Sequence, residues 1–380
     1  MLTLTLLAAS VLTAPTAPGA GSLLPTAGAP ASADTFALRA TSVHIGDGTV
    51  VSNGIVVVKD GVIQSVGNAA PDGVEVMDVE GHIAPGFIGL REGTGVGSEN
   101  NESTRKLTPT ADVSRAFNPE HPSWKHLVAQ GFTAVVVTPS SSRIAGGTAA
   151  VVSPATGEIL KRRAMVSLGM SSRSLSTGVE PTSYAGLYDH LSKAFADADA
   201  KSPLAMAKAG AMPVLIEAVN RAEVMNAARF AKGLGLKGAI LGASRSADIV
   251  DVIKDSGLSV VFEPVSAGAS RRVHESALAL EKAGIPFAFT ADANRRGPAA
   301  MRMTAAAFMR NGLSPKTALS AMTQNAADIA GVGETHGSIA KGKSADLVVW
   351  SGNPTDLTSR VLHVFAAGSH VHDASAGDAR

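Results

Sequence analysis

From Phe36 to Ile45 apolar and polar residues alternate, and Gly46-Asp47-Gly48 ends the run, which predicts a half-buried strand followed by a turn. The apolar runs Ile55–Val58 and Val62–Val66 flank Asp60-Gly61, the signature of a hairpin with a tight turn. A further short strand is expected over Val74–Val79. The far end of the chain repeats the pattern. Ala345–Trp350 runs into a Gly-Asn-Pro turn, followed by Arg360–Ala367 and by Gly368-Ser369-His370-Val371-His372. Between these ends the pattern changes to short continuous apolar runs that alternate with amphipathic stretches of helical period.

The runs predict eight buried strands: Ile83–Leu90, Phe132–Thr138, Ala149–Ser153, Ala164–Met170, Pro213–Ala218, Ala239–Ala243, Ser259–Glu263 and Pro286–Thr290. Helical patterns cover Arg221–Leu234, Ser246–Ser256, Arg271–Ala283, Gly297–Arg310 and Pro315–Ile329, several closed by glycine caps. Strand and helix in alternation predict an α/β fold, a (β/α)8 TIM-like barrel over residues 81–339. The third and fourth strands lie too close for a helix between them, so the barrel is expected to be irregular there. Residues 35–80 and 340–373 are expected to form a small composite β-sandwich domain built from both termini.

Composition narrows the field. A chain of 380 residues with 45% hydrophobic content can bury one large core and a smaller one. A net charge of +1 and 4% aromatic content give no basis for nucleic-acid binding. The absence of cysteine removes disulfides, thiolate metal sites and cysteine nucleophiles. Residues 1–34 read as a signal peptide or a disordered leader, with an apolar run at Leu2–Leu12 and a small-residue site at Ala31-Ser32-Ala33. The first reading places the protein in the periplasm or outside the cell, the second in the cytoplasm. The apolar run is too short and too broken by threonine to span a membrane.

Family resemblance enters through three motifs. Ala84-Pro85-Gly86-Phe87-Ile88 resembles the first barrel strand of the metal-dependent amidohydrolase superfamily. Gly312-Leu313-Ser314-Pro315 with Ala318–Ala327, and then Gly337–Trp350, resemble the closing segment of its imidazolonepropionase-like and dihydroorotase-like branches. The resemblance spans Phe36 to Val371 and implies a hydrolase of carbon–nitrogen bonds that uses zinc or another divalent metal, held by histidines at the C-terminal strand ends. At those positions this chain carries Arg91 and Gly93 after the first strand, Glu217 on the fifth, Gly242 on the sixth and Asp292 after the eighth. Only the aspartate keeps the family chemistry.

The resemblance therefore makes Asp292 and Arg91 the candidate catalytic residues, expected as an ion pair between neighbouring strands. Glu217, Glu92, Glu99, Ser140 and Arg143 are candidates for ligand binding, and no residue is assigned to a metal. A guanidinium keeps its charge and repels a divalent cation. With no imidazole at the mouth, the chain is expected to retain less than about one equivalent of zinc, manganese or magnesium. The other histidines read as structural, and His370 and His372 as solvated on a terminal strand. Two functions compete: a carbon–nitrogen hydrolase with a degenerate metal site, and an inactive relative that binds a ligand or supports an intact amidohydrolase. Expected partners are a small polar substrate and further subunits, either copies of this chain or an intact amidohydrolase.

Overall fold

The computed structural model describes residues 35–96, 104–140, 142–266 and 268–375. The expected leader and Glu99 lie outside the described residues. The N-terminal part forms β1 (Phe36–Arg39), β2 (Ser42–His44), β3 (Val50–Ser52), β4 (Ile55–Lys59), β5 (Val62–Gly67) and β6 (Glu75–Asp78). β4 and β5 are the hairpin foreseen from the alternation, and its Asp60 and Gly61 both take positive φ, 51° and 76°.

The run expected as one strand at Ile83–Leu90 is two, β7 (His82–Pro85) and β8 (Phe87–Glu92), which belong to different sheets. Gly86 joins them where a Cβ would collide with the Thr133 side chain, so only glycine lets the chain pass between the two layers.

The barrel continues through α1 (Trp124–Val128), β9 (Phe132–Val137), β10 (Ala145–Val152), β11 (Ile159–Gly169), α2 (Tyr184–Ala196), α3 (Pro203–Lys208) and β12 (Val214–Ala218). It then runs through α4 (Arg221–Leu234), β13 (Gly238–Gly242), α5 (Val250–Ser256), β14 (Ser259–Phe262), α6 (Arg271–Ala283) and β15 (Phe287–Phe289). These eight strands form one sheet in the order β15-β14-β13-β12-β11-β10-β9-β8, and a bridge between Leu90 and Thr290 nearly closes it. The fold is a TIM-like barrel with one departure. β10 runs antiparallel to both neighbours, so β10 and β11 make a hairpin where a regular barrel places a helix. The short connection seen in the sequence is the turn of that hairpin.

α2 and α3 were not expected. Ser183 and Ser202 cap their first turns, and Pro203 opens α3. The helix expected over Pro315–Ile329 is broken at Thr323, into α9 (Pro315–Met322) and α10 (Gln324–Ala330), after α7 (Ala293–Arg296) and α8 (Ala300–Arg310).

β16 (Leu347–Trp350), β17 (Val361–Ala366) and β18 (Ser369–Asp373) complete a six-stranded sheet ordered β18-β17-β16-β7-β2-β3. β1, β4, β5 and β6 form a separate four-stranded sheet. Leu38, Val56, Val58 and Ile63 of the small sheet share one buried cluster with Ile83, Leu347, Val349 and Phe365 of the larger one. Trp350 is fully buried between sheet and barrel, 5.2 Å from Phe87 ring to ring, with the Arg302 guanidinium 4.6 Å from its ring centre. Among the described residues no helix is long and apolar enough to cross a membrane.

Candidate functional site

The C-terminal strand ends converge on one mouth, and there the chain places an alternating series of charges. The Arg91 Nη1 atom lies 3.2 Å from Glu263 Oε1 and 3.6 Å from Asp292 Oδ1. Arg173 Nη1 lies 3.5 Å from that same Glu263 oxygen and 3.5 Å from Glu217 Oε1. Ser171 donates to Glu217 Oε1 at 2.8 Å. The arc thus runs Asp292, Arg91, Glu263, Arg173, Glu217, from the end of β15 round to β12. The structure brings together Arg91, Asp292 and Glu217. Glu263 and Arg173, which link them, escaped the sequence reading, although Glu263 ended an expected strand just as Glu217 sits on one.

The backbone is shaped for this. Arg91 and Asp292 both adopt left-handed φ, 51° and 44°, which L side chains avoid and which recurs at functional strand ends. The Asp292 residue is 5% exposed. Its pKa is raised by burial, and the nearby charges of Arg91 and Arg295 pull it down without cancelling that effect. Burial acts to lower the Arg173 pKa, but the Glu217 and Glu263 carboxylates outweigh it and raise the value. Glu217 is 1% exposed, and its Oε2 has no hydrogen-bond partner among the described residues. Arg91 Nη1 is also buried and makes no hydrogen bond there, although two carboxylates stand at ion-pair distance.

Glu92 serves the scaffold. Its Oε1 accepts from the backbone N–H groups of Gly93 and Thr94 at 2.8 and 2.9 Å and from the Thr94 hydroxyl at 2.9 Å. Its Oε2 accepts from Ala293 N–H at 2.8 Å. The carboxylate therefore stitches the loop after β8 to the start of α7. Ser140 lines a cavity of about 200 Å³ with Arg91, Thr138, Asp292 and Arg295. Arg143 is absent from that lining and stands near Lys106, whose pKa is lowered first by burial and then by the Arg143 charge. His121 and His126 border an adjoining cavity of about 470 Å³ that also touches Gly93 and Asn294.

The glycines at the other positions are packed. A Cβ on Gly93 would strike the Asn294 amide, and one on Gly89 would strike Ala291. Gly242 has φ 109°, and a Cβ there would lie 2.6 Å from the Ala218 carbonyl oxygen. Larger side chains cannot enter at these points unless the neighbours move.

The chain belongs to the amidohydrolase family, whose model matches residues 181–371. Over 161 residues it is 31% identical to an imidazolonepropionase from Paracidovorax citrulli, covering 41% of this chain and 38% of that protein. A second imidazolonepropionase, from Flavobacterium johnsoniae, is 39% identical over 18% of this chain and 17% of its own length. The chain thus aligns with less than two-fifths of each of these curated relatives. Among solved structures it resembles an amidohydrolase from Thermotoga maritima, with a TM-score of 0.76 at 23% identity, covering 89% of this chain and all of that one. A prolidase complexed with N-methylphosphonate-L-proline superposes with a TM-score of 0.57 at 17% identity, over 89% and 100% of the two chains. At these identities the likeness concerns the fold.

Among the described residues, the donors at the mouth do not fit the divalent ion that the sequence resemblance implies. Its carboxylates already face two guanidiniums, and no group of three histidine or carboxylate donors converges there.

Proposed function

We propose that the protein is a hydrolase of carbon–nitrogen bonds other than peptide bonds, acting on a small polar substrate at the barrel mouth with Asp292 and Arg91 in place of a metal site. One observation carries the reading: a buried carboxylate of raised pKa stands beside a guanidinium whose Nη1 atom makes no hydrogen bond among the described residues. Ionised Asp292 takes a proton from water while the water oxygen bonds to the amide carbon. The carbonyl electrons move onto oxygen, to which Arg91 donates. Collapse of this adduct breaks the carbon–nitrogen bond, and Asp292 returns its proton to the departing nitrogen. A cyclic amide would open to a chain bearing both an acid and an amine. Similarity to proteins named imidazolonepropionase supports a cyclic substrate of that kind.

A second reading is binding without turnover, either of a ligand or as a subunit beside an intact amidohydrolase. The charge balance within the arc favours it, since each guanidinium already faces two carboxylates. One experiment separates the two. Chelator-treated protein is offered hydantoins, dihydropyrimidines and imidazolone-type lactams, with ring opening followed by mass spectrometry and binding by thermal shift. Turnover that falls at least 100-fold in Asp292→Asn supports the hydrolase. Thermal shifts without product support the binding protein, and turnover unchanged by Asp292→Asn removes Asp292 from the chemistry.

A further inference from the structure

Away from the mouth, the outer strands of the six-stranded sheet gather His363, His370 and Asp373, each offering one donor atom within 4.8 Å of the others. His370 Nε2 lies 3.3 Å from His363 Nδ1, and His363 Nδ1 lies 3.8 Å from Asp373 Oδ1. Two donors bound at about 2.0–2.1 Å to one tetrahedral ion stand roughly 3.4 Å apart, so the spacing suits a shared cation. We propose that these three residues form a binding site for a divalent cation of the zinc type, with two imidazoles and one carboxylate as ligands.

The backbone makes the convergence. His363 pairs directly with Asp373 across β17 and β18, and Phe365 pairs with His370. His370 and Asp373 are three positions apart, and in a regular strand they would point to opposite faces. A register shift between Val364 and Phe365 leaves Val371 as an extra residue and restores both side chains to the His363 face. The His370 ring then stacks on buried Phe365, with centroids 4.9 Å apart at 28°, which fixes its orientation. Asp373 Oδ1 is held by the Ser375 hydroxyl at 2.6 Å and the Ser375 N–H at 2.9 Å, the kind of outer contact that orients a ligand carboxylate.

Access and charge agree with this role. His370 is 2% exposed, while the His363 and Asp373 side chains are 20% and 17% exposed, so the site is backed by the core and open on one side. A cavity of about 310 Å³ reaches His363 and Asp373, and Glu80 at its wall adds negative charge for an incoming cation, while Asp78 there is paired with Arg39 at 3.0 Å. Two imidazoles with one carboxylate favour zinc, cobalt or nickel over calcium or magnesium, and one coordination position is left for water.

The untagged full-length chain, stripped with chelator and desalted, is titrated with zinc chloride and with cobalt(II) chloride in a calorimeter and a spectrophotometer. The expected result is one equivalent with micromolar or tighter affinity, in place of the less than one equivalent expected from the mouth alone, and the intense visible bands of four-coordinate cobalt. His363→Gln and Asp373→Asn should each weaken uptake at least 10-fold, while Asp292→Asn at the mouth leaves the stoichiometry at one. The cobalt spectrum needs no variant, so a poorly folded mutant does not spoil the test. The proposal is overturned if the folded wild-type chain takes up neither metal, if cobalt gives only weak six-coordinate bands, or if both sheet variants bind as the wild type does.

Discussion

At the barrel mouth two guanidiniums alternate with three carboxylates, while five of the ten histidines, at positions 44, 82, 363, 370 and 372, sit in the six-stranded sheet. Both regions are partly buried, yet they meet the cost of burying polar groups differently. The mouth keeps its charges and pairs them, because a guanidinium stays ionised at any pH a protein tolerates. The sheet instead disfavours the charged form at four of its imidazoles. His44 is lowered to about 4, by burial first and by the His82 charge second, and its Nε2 lies 3.0 Å from His82 Nδ1. His82, His363 and His372 are lowered as well, in each case chiefly by burial. Charge removal should therefore be felt at the mouth and acidification at the sheet.

The largest effect is expected on catalysis. Asp292→Asn keeps the shape but loses the base, and hydrolysis should fall by about 10²–10⁴-fold, read from initial rates. A drop much smaller than this would move the chemistry away from the arc.

Next comes stability at the mouth. Arg91→Ala leaves Asp292 and Glu263 facing each other without their common cation. The expected cost is about 3 kcal/mol in urea unfolding, at the low end for a broken buried pair because the Glu263 side chain is 28% exposed. Arg91→Gly removes the same charge yet suits the left-handed backbone, so it should recover about 1 kcal/mol. Equal losses in the two variants would show that the backbone there carries no strain.

The sheet responds to pH. A histidine whose folded pKa lies below its unfolded value stabilises the fold fully above about 6.5, and that contribution is lost as pH falls towards 4. For His44 the loss between pH 7.5 and 4.5 should be about 2 kcal/mol, and His44→Gln should flatten the slope of stability against pH by that amount. An unchanged slope would place the acid-sensitive group elsewhere.

The smallest effect tests whether short distance alone makes an ion pair strong. Lys232 and Asp255 stand 2.5 Å apart, but their side chains are 57% and 64% exposed. Lys232→Ala should change stability by less than about 0.5 kcal/mol, against the far larger loss at Arg91, whose contacts are longer but drier.

The sequence carried these regions unequally. Strand positions, the Asp60-Gly61 hairpin and helices α4 and α6 were legible because period and turn chemistry decide them locally. The direction of β10 was not, since a continuous apolar run such as Ala149–Ser153 reads alike in either sense. Arg91 and Asp292 are placed by the family resemblance of their strand ends, whereas Glu263 needs the closed barrel to bring it to Arg91. Alternation predicts a solvated His370, yet the residue is buried, because the extra residue at Val371 reverses the facing that simple alternation assigns. Such a shift in register leaves no mark in a hydrophobic pattern.

The β10–β11 hairpin has a further consequence, for the order in which the barrel assembles. Barrel closure joins Leu90 to Thr290, residues from opposite ends of the barrel sequence, and such distant contacts form late because a long loop must first be ordered. β10 and β11 are joined by a short turn and can pair before the rest of the chain is in place. The hairpin is thus a local seed in a fold that otherwise relies on remote partners. In pulse-labelled hydrogen exchange during refolding, the amides that β10 and β11 donate to one another should gain protection well before that of Ala291, which donates across the seam to Leu90, and before those of Thr148 and Val166, which donate outside the hairpin to Ala111 and Pro213.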